Sequence, residues 1–290
     1  MIIDAHTHIY PEKIAARAVA KLEANSGVAA KTNGIRSGLM ESMKEAGVDY
    51  SLLLPVATSV KQVGTINEEA ARINEESEHT GLLSFGGIHP DTENYKEVLR
   101  HIKELGLKGV KLHPDYQGTF FNDIRYKRIV SEATELGLYL MIHAGVDIGL
   151  PEPIHCHPDH VAEVVRETQS DHLILAHMGG WRLWEEVRAK LLELPVYFDT
   201  SFSEDYLMAD GVEGMLSREA FTDLVRTMGT DRVFFGTDSP WSGQKTAIEW
   251  IEETALTREE KKQIFFENFV RVIGMPAFIS RALVAAINNE

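Results

Sequence analysis

An eight-stranded (β/α)8 barrel is the fold class this sequence predicts, and three observations predict it. Short apolar runs alternate with amphipathic helical patterns; the runs number eight; and nearly every run ends in a residue able to bind a metal or move a proton. Barrels of this kind often exceed about 250 residues as one unit, so the 290 residues are read as a single domain, 1–290, closed by a C-terminal helix over about 257–290.

The candidate strands are MIIDAH at the start, YSLLLPV from Tyr50, LLSFGGIHP from Leu82, KGVKLHP from Lys108, LYLMIHAG from Leu138, HLILAHMGG from His172, PVYFDTS from Pro195 and RVFFGTDSP from Arg232. Continuous apolar runs, each followed by a helix, indicate a parallel sheet covered on both faces. Tyr95, Val98, Leu99, Ile102 and Leu105 form one apolar helical stripe that stops before Gly106. Pro158, followed by Val161, Val164 and Val165, marks a helix with proline in its first turn. The stretches Lys21 to Gly38 and Phe202 to Leu216 are less regular and are expected to be loops over the barrel mouth. An open doubly wound sheet would want a Gly-rich phosphate loop after a strand, and none is present.

Composition narrows the partners. The 29 basic and 44 acidic residues give a net charge of −15, and no Lys/Arg stripe interrupts it, so nucleic acid is excluded as a partner and a small molecule is expected. No apolar stretch approaches the ~20 residues that span a bilayer, and Met1 leads directly into a strand with no signal-peptide pattern. Cys156 is the only cysteine, which suits a reducing cytoplasm.

The strand ends carry the chemistry. In MIIDAHTHIY, alternate side chains of an extended strand face one way, so His6 and His8 grip one point. That pair alone is weakly specific. The other strand ends add His89 in GIHP, Lys111 and His113 in GVKLHP, His143 in MIHAG, His177 in LAHMGG and Asp238 in GTDSP. Six of the 12 histidines thus fall at C-terminal strand ends, and a closed barrel brings all those ends to one mouth. Closure also sets the last strand beside the first, which lets residues 6 and 238 approach one ion at about 2 Å. His155, His157 and His160 in HCHPDH lie just ahead of a helix and are read as cap or loop residues, not a second metal box. Trp181, Trp184 and Trp241 are read first as packing residues.

AHTH, GIHP, GVKLHP, MIHAG, LAHMGG, FGTDSPW and the terminal EEKKQIFFENFVRVIG occur in an order that resembles the amidohydrolase superfamily, in its amidohydrolase-related branch that also contains aromatic-acid decarboxylases. The resemblance spans nearly the whole chain. It implies a distorted TIM barrel with a divalent metal held by His6, His8, His143 and Asp238, with His177 as a ligand or acid-base partner; same-sided imidazoles suit a borderline metal, so zinc is expected first, with manganese, iron or cobalt as substitutes. It also implies a homodimer or higher oligomer. Two-metal members often bridge their ions with a glutamate or a carboxylated lysine from the fourth strand, where this chain has Lys111. Lys111 is therefore either a carboxylated bridge between two ions or a plain ammonium that holds a substrate carboxylate; one ion with the ammonium is the preferred reading, because unmodified Lys⁺ repels metal ions. The deoxyribonuclease-like relatives normally carry glutamate there, and its absence speaks against that activity.

Together these features lead to hydrolysis of an amide, lactone or ester C–N or C–O bond, in which a metal-activated water attacks, Asp238 carries the proton and His177 stabilises developing charge. Lys111, His113, His89, Tyr116, Arg182 and Trp241 are expected to hold an acidic or aromatic substrate. Metal-dependent decarboxylation of an aromatic or enoic acid is the alternative, and a non-catalytic metal-binding protein the weakest reading.

Overall fold

The computed structural model describes residues 1–274. Its strands are β1 (Ile3–Thr7), β2 (Tyr50–Leu53), β3 (Leu82–Ser84), β4 (Gly86–Gly87), β5 (Gly109–Leu112), β6 (Tyr139–Ile142), β7 (Leu173–Leu175), β8 (Tyr197–Asp199) and β9 (Val233–Phe234). All pair in parallel, β1-β2-β3 in one sheet and β4 through β9 in another. Phe85, the one residue between β3 and β4, donates its N–H to Leu53 O of β2 (3.1 Å), so the ladder of the first sheet runs up to the point where the chain enters the second. At the other end Ala5 N donates to Phe235 O (2.8 Å) and Asp238 N to His6 O (2.8 Å), so the last strand meets the first and the barrel closes.

Alternation within the strands explains the two-sided burial. Met141 packs inside the barrel with Ile3, Leu52, Ile174 and Phe234, whereas its neighbours Leu140 and Ile142 pack outward against helices. The expected third strand divides because the side chain of Asn67 enters the ladder: its Oδ1 accepts from Gly87 N at 2.8 Å, and a Cβ on Gly86 would lie 2.5 Å from that oxygen.

The helix Tyr95–Glu104 buries Leu99 and Ile102 as its stripe predicts. Pro158–Thr168 is likewise helical, and the side chain of His157 caps it by accepting from Asp159 N. The expected loop from Lys21 to Gly38 is shorter than its sequence suggests. The helix Glu12–Ser26 runs through its first residues and ends at Gly27 in the left-handed conformation, and Arg36 already starts the helix Arg36–Ala46. Within Phe202 to Leu216, Asp205–Asp210 forms a 3-10 helix. These two stretches meet: Val28 packs with Trp181, Phe202, Leu207 and Val212, and Lys31 Nζ reaches Asp210 at 2.9 Å. The C-terminal helix is present as Arg258–Lys262, a π-turn Gln263–Glu267 and Asn268–Val272, while residues 275–290 of the expected span lie outside the described residues. No helix among the described residues is long and apolar enough to cross a membrane.

Candidate active site

One local irregularity aims the first two histidines. Asp4 pairs with Ser51 of β2 but Thr7 pairs with Leu53, so β1 holds one extra residue between them. The bulge separates neighbours that a regular strand would align: Asp4 turns to Thr237 and Gln244, while His6 and His8 open onto the mouth.

Each imidazole is fixed by its far nitrogen. His6 Nδ1–H donates to Asp199 Oδ2 at 2.7 Å, and His8 Nδ1–H donates to the Leu54 carbonyl at 2.8 Å. Both acceptors can only accept, so the Nε2 atoms carry lone pairs, and these face each other at 3.2 Å. Asp238 Oδ1 completes a triangle, 3.5 Å from His6 Nε2 and 3.1 Å from His8 Nε2. Two ligands held about 2.1 Å from one ion at an angle near 100° lie about 3.2 Å apart, so the three donors have the spacing and chemistry for a divalent cation. Asp238 occupies the left-handed region at φ 66, a conformation disfavoured outside glycine and common at functional sites.

Electrostatics keep the donors available. Burial, then the neighbouring Lys111, lowers His6 to about 4 despite Asp199, so its ring is neutral at pH 7. Burial opposes the charge on Asp238, yet His8 and His6 hold its carboxyl below the usual range. Asp199 is likewise held well below that range by His6, His177 and Ser201, against its burial. Lys111 is buried with Nζ 3.1 Å from His6 Nε2, and burial lowers it to about 8.

His177 lies beside this triangle, its ring 5.3 Å from that of His6. His177 Nδ1–H donates to Ser201 O at 2.9 Å, and its Nε2 lies 3.0 Å from His143 Nδ1. His143 in turn stacks on His113 (4.1 Å), and His113 on Tyr116 (3.9 Å). A continuous wall of rings thus runs from His8 to Tyr116.

Above it opens a cavity of about 910 Å³, with His6, His8, Lys111, His113, His143, His177 and Asp238 on its floor. Ile14, Leu22, Val56, Ile148, Trp181 and Phe202 form apolar walls. Tyr116 and Trp241 also line it, as the sequence suggested for substrate-binding residues. Two other expected residues are elsewhere. Arg182 is exposed, donates to Glu213 O at 2.8 Å and covers the Trp181 ring at 4.4 Å; His89 accepts from Asp91 N at 3.2 Å and does not line the cavity. His143 faces Asp115 and Asp147 with its Nε2 and is not among the donors within 4.8 Å of the His6, His8 and Asp238 set.

Sequence reasoning overlooked Asp199, Asp115 and Asp147. Asp199 ends β8, in the run YFDTS, so the strand-end criterion applied to the other strands would have found it. Asp115 and Asp147 sit in loops after strands and carry no periodic signal.

The amidohydrolase family model matches residues 3–275. This chain belongs to the amidohydrolase family. No curated protein matches it by sequence. Among solved structures, this amidohydrolase is similar to an uncharacterized TIM-barrel protein from Bordetella bronchiseptica (17% identity, TM-score 0.72, covering 93% of this chain and 97% of that one). It is also similar to 5-carboxyvanillate decarboxylase from Sphingomonas paucimobilis (16%, TM-score 0.65, 95% and 99%). A third is dihydroxybenzoic acid decarboxylase from Polaromonas sp. JS666 with bound manganese and 2-nitroresorcinol (17%, TM-score 0.65, 94% and 96%). At these identities the likeness establishes the shared barrel: the protein is an enzyme of amidohydrolase type on a distorted (β/α)8 fold.

Proposed function

We propose that this amidohydrolase is a metal-dependent decarboxylase of a small aromatic or enoic acid. The observation that carries the reading is a deeply buried polar floor under apolar walls. His6 and Lys111 are each 1% exposed, at the base of a cavity whose sides are aliphatic and aromatic. A flat acid fits such a space with its carboxylate down and its ring against the walls. Two fold relatives named above are aromatic-acid decarboxylases, which supports this reading over the hydrolysis expected from the motifs.

His6, His8 and Asp238 would hold the ion, which when bound supplies a Lewis acid for substrate oxygens and for water. Two imidazoles and a carboxylate suit zinc or manganese, and one relative contains manganese. Lys111 meets the acid end of the substrate from within the floor. Asp238, ionised in the free site, takes the acid substrate's own proton on its remaining carboxylate oxygen and delivers it to the carbon bearing the carboxylate; the C–C bond then breaks, its electron pair restores the substrate's π system, and CO2 leaves. His177 stabilises the charge that develops on the substrate oxygen. The apolar walls exclude water, which favours loss of a localised carboxylate charge. The buried Cys156 fits a reducing cytoplasm.

The remaining carboxylate oxygen of Asp238 beside the ligand triangle favours one second reading, hydrolysis by an activated water. A panel of hydroxybenzoic and enoic acids, amides, lactones and esters, assayed with manganese and with zinc in H₂¹⁸O, separates the two. Decarboxylation predicts one CO2 per product and no ¹⁸O in the product. Cleavage of an amide, lactone or ester with one ¹⁸O incorporated, and no CO2 from any acid, would make it a hydrolase.

A further inference from the structure

We infer that a second cavity, between two of the outer helices, binds a small uncharged aromatic molecule of the phenol class. The space measures about 320 Å³, and it shares no lining residue with the catalytic cavity. One side is the 3-10 turn Val60–Gln62 with the helix Val63–Glu75, from which Val60, Val63, Gly64 and Asn67 border it at the i, i+3, i+4, i+7 spacing of one helical face. The other is the helix Tyr95–Glu104. There Asn94, Glu97, Val98 and His101 border it at the same spacing.

Two such faces ordinarily interlock, ridge into groove. Here Gly64 supplies no ridge. A Cβ placed on it meets no heavy atom within 4 Å, so bare backbone borders open space. Glycine weakens a helix, and at this position it keeps the gap unfilled.

Thr92 gives the independent sign of a ligand. It is 1% exposed and lines the cavity, yet its Oγ1 has no hydrogen-bond partner among the described residues. A hydroxyl so placed has lost its water without a replacement, and a ligand oxygen in the cavity supplies one. The helix end beside it lacks a partner of the same kind, because Asn94 makes no side-chain cap for Tyr95–Glu104.

The lining selects the ligand. Val60, Val63 and Val98 make the walls apolar, and the volume falls at the lower end of the ~300–1,000 Å³ usual for ligand sites. No Lys or Arg is among the lining residues, and Glu97 stands at the rim, so an acid anion is repelled. A flat ring fits against the backbone at Gly64 with its hydroxyl at Thr92.

One helix joins the two cavities. Lys61, Gln62, Thr65 and Ile66 border the catalytic cavity, whereas Val60, Val63, Gly64 and Asn67 border this one. Asn67 Oδ1 also holds Gly87 N of β4 at 2.8 Å. Occupation therefore steadies a wall of the catalytic cavity. The site itself is independent of the reaction proposed above.

The probe is 4-bromophenol, added to the full-length protein. Bromine anomalous scattering from soaked crystals should place the atom among Val60, Val63 and Val98, and calorimetry should saturate with a Kd of about 1 mM. Amide exchange over residues 60–67 and 92–101 should slow in its presence, and 4-bromobenzoate should produce neither signal. Gly64→Leu fills the gap and should abolish both the bromine peak here and the slowed exchange; leucine favours a helix over glycine, so the fold is kept. Thr92→Val, close to isosteric, should weaken binding about 10-fold without lowering the melting temperature, because the hydroxyl it removes has no partner. Bromine found only in the catalytic cavity, no saturation below about 10 mM, equal binding of 4-bromobenzoate, or unchanged exchange protection in Gly64→Leu would each overturn the assignment. The first two readings need no variant.

Discussion

Asp199 and Glu204 are close in the chain, equally removed from solvent at 0% exposure, and held in opposite charge states. Asp199 accepts from His6 Nδ1, from the backbone amides of His177 and Ser201, and from the Ser201 hydroxyl. Its carboxyl consequently stays well below the usual range in spite of burial. Glu204 has only the Ser203 amide on Oε2 and its own backbone, its Oε1 has no partner among the described residues, and burial pushes it up to about 8. The difference teaches that burial alone neutralises a carboxylate in this barrel, and that converging donors restore its charge. The charge is kept where it orients a candidate ligand and lost where nothing requires it.

The strongest way to break the comparison is Asp199→Asn. The amide can offer its NH₂ to His6 Nδ1, which moves the ring proton to Nε2 and blocks the face turned toward Asp238 and His8. Ion affinity and turnover should both fall about 100-fold, read by metal titration and by the decarboxylation assay. Unchanged affinity would mean that the hydrogen bond to Asp199 does not set the His6 tautomer.

Glu204→Gln tests the other member. Glu204 has a folded-state value raised to about 8 against an ordinary 4.5, so the folded protein binds the extra proton. Its contribution to stability is therefore full below about 4.5 and is lost as pH rises toward 8 and beyond. The variant should gain on the parent protein as pH rises, by an amount on the order of 4 kcal/mol by pH 9. Thermal melts at pH 5, 7 and 9 read this directly, and a difference that does not change with pH would contradict a protonated Glu204.

Ser201→Ala should have the smallest effect. It removes one of several donors to Asp199 and leaves the backbone amides in place, for a loss of about 1 kcal/mol in urea unfolding. A loss several times larger would show that the hydroxyl, not the amides, holds the carboxylate charge.

Much of this was legible in the chain. The eight strand positions, the stripe from Tyr95 to Leu105, the His157 cap and the gathering of His6, His8, His177 and Asp238 follow from local patterns and from the rule that parallel barrels collect strand ends at one mouth. The division of the third strand was hidden because it depends on Asn67, which arrives from a helix elsewhere in the sequence. The early end of the expected first loop was hidden because the helix Glu12–Ser26 draws only weakly on burial, with Ala15 and Val19 alone buried.

By itself the sequence determined the fold class, the parity of the strands and the set of residues able to meet at the mouth, because side-chain alternation and apolar runs are local properties of the chain. Only the tertiary structure decided which of them face one another. The bulge in β1 separates Asp4 from His6, the 193-residue separation between His6 and Asp199 closes to 2.7 Å, His143 turns toward Asp115 and Asp147, and Arg182 stays outside the cavity. The physical reason is that a ligand distance must be right to a few tenths of an ångström, and only barrel closure, loop paths and the hydrogen bonds on the far side of each ring fix positions that finely.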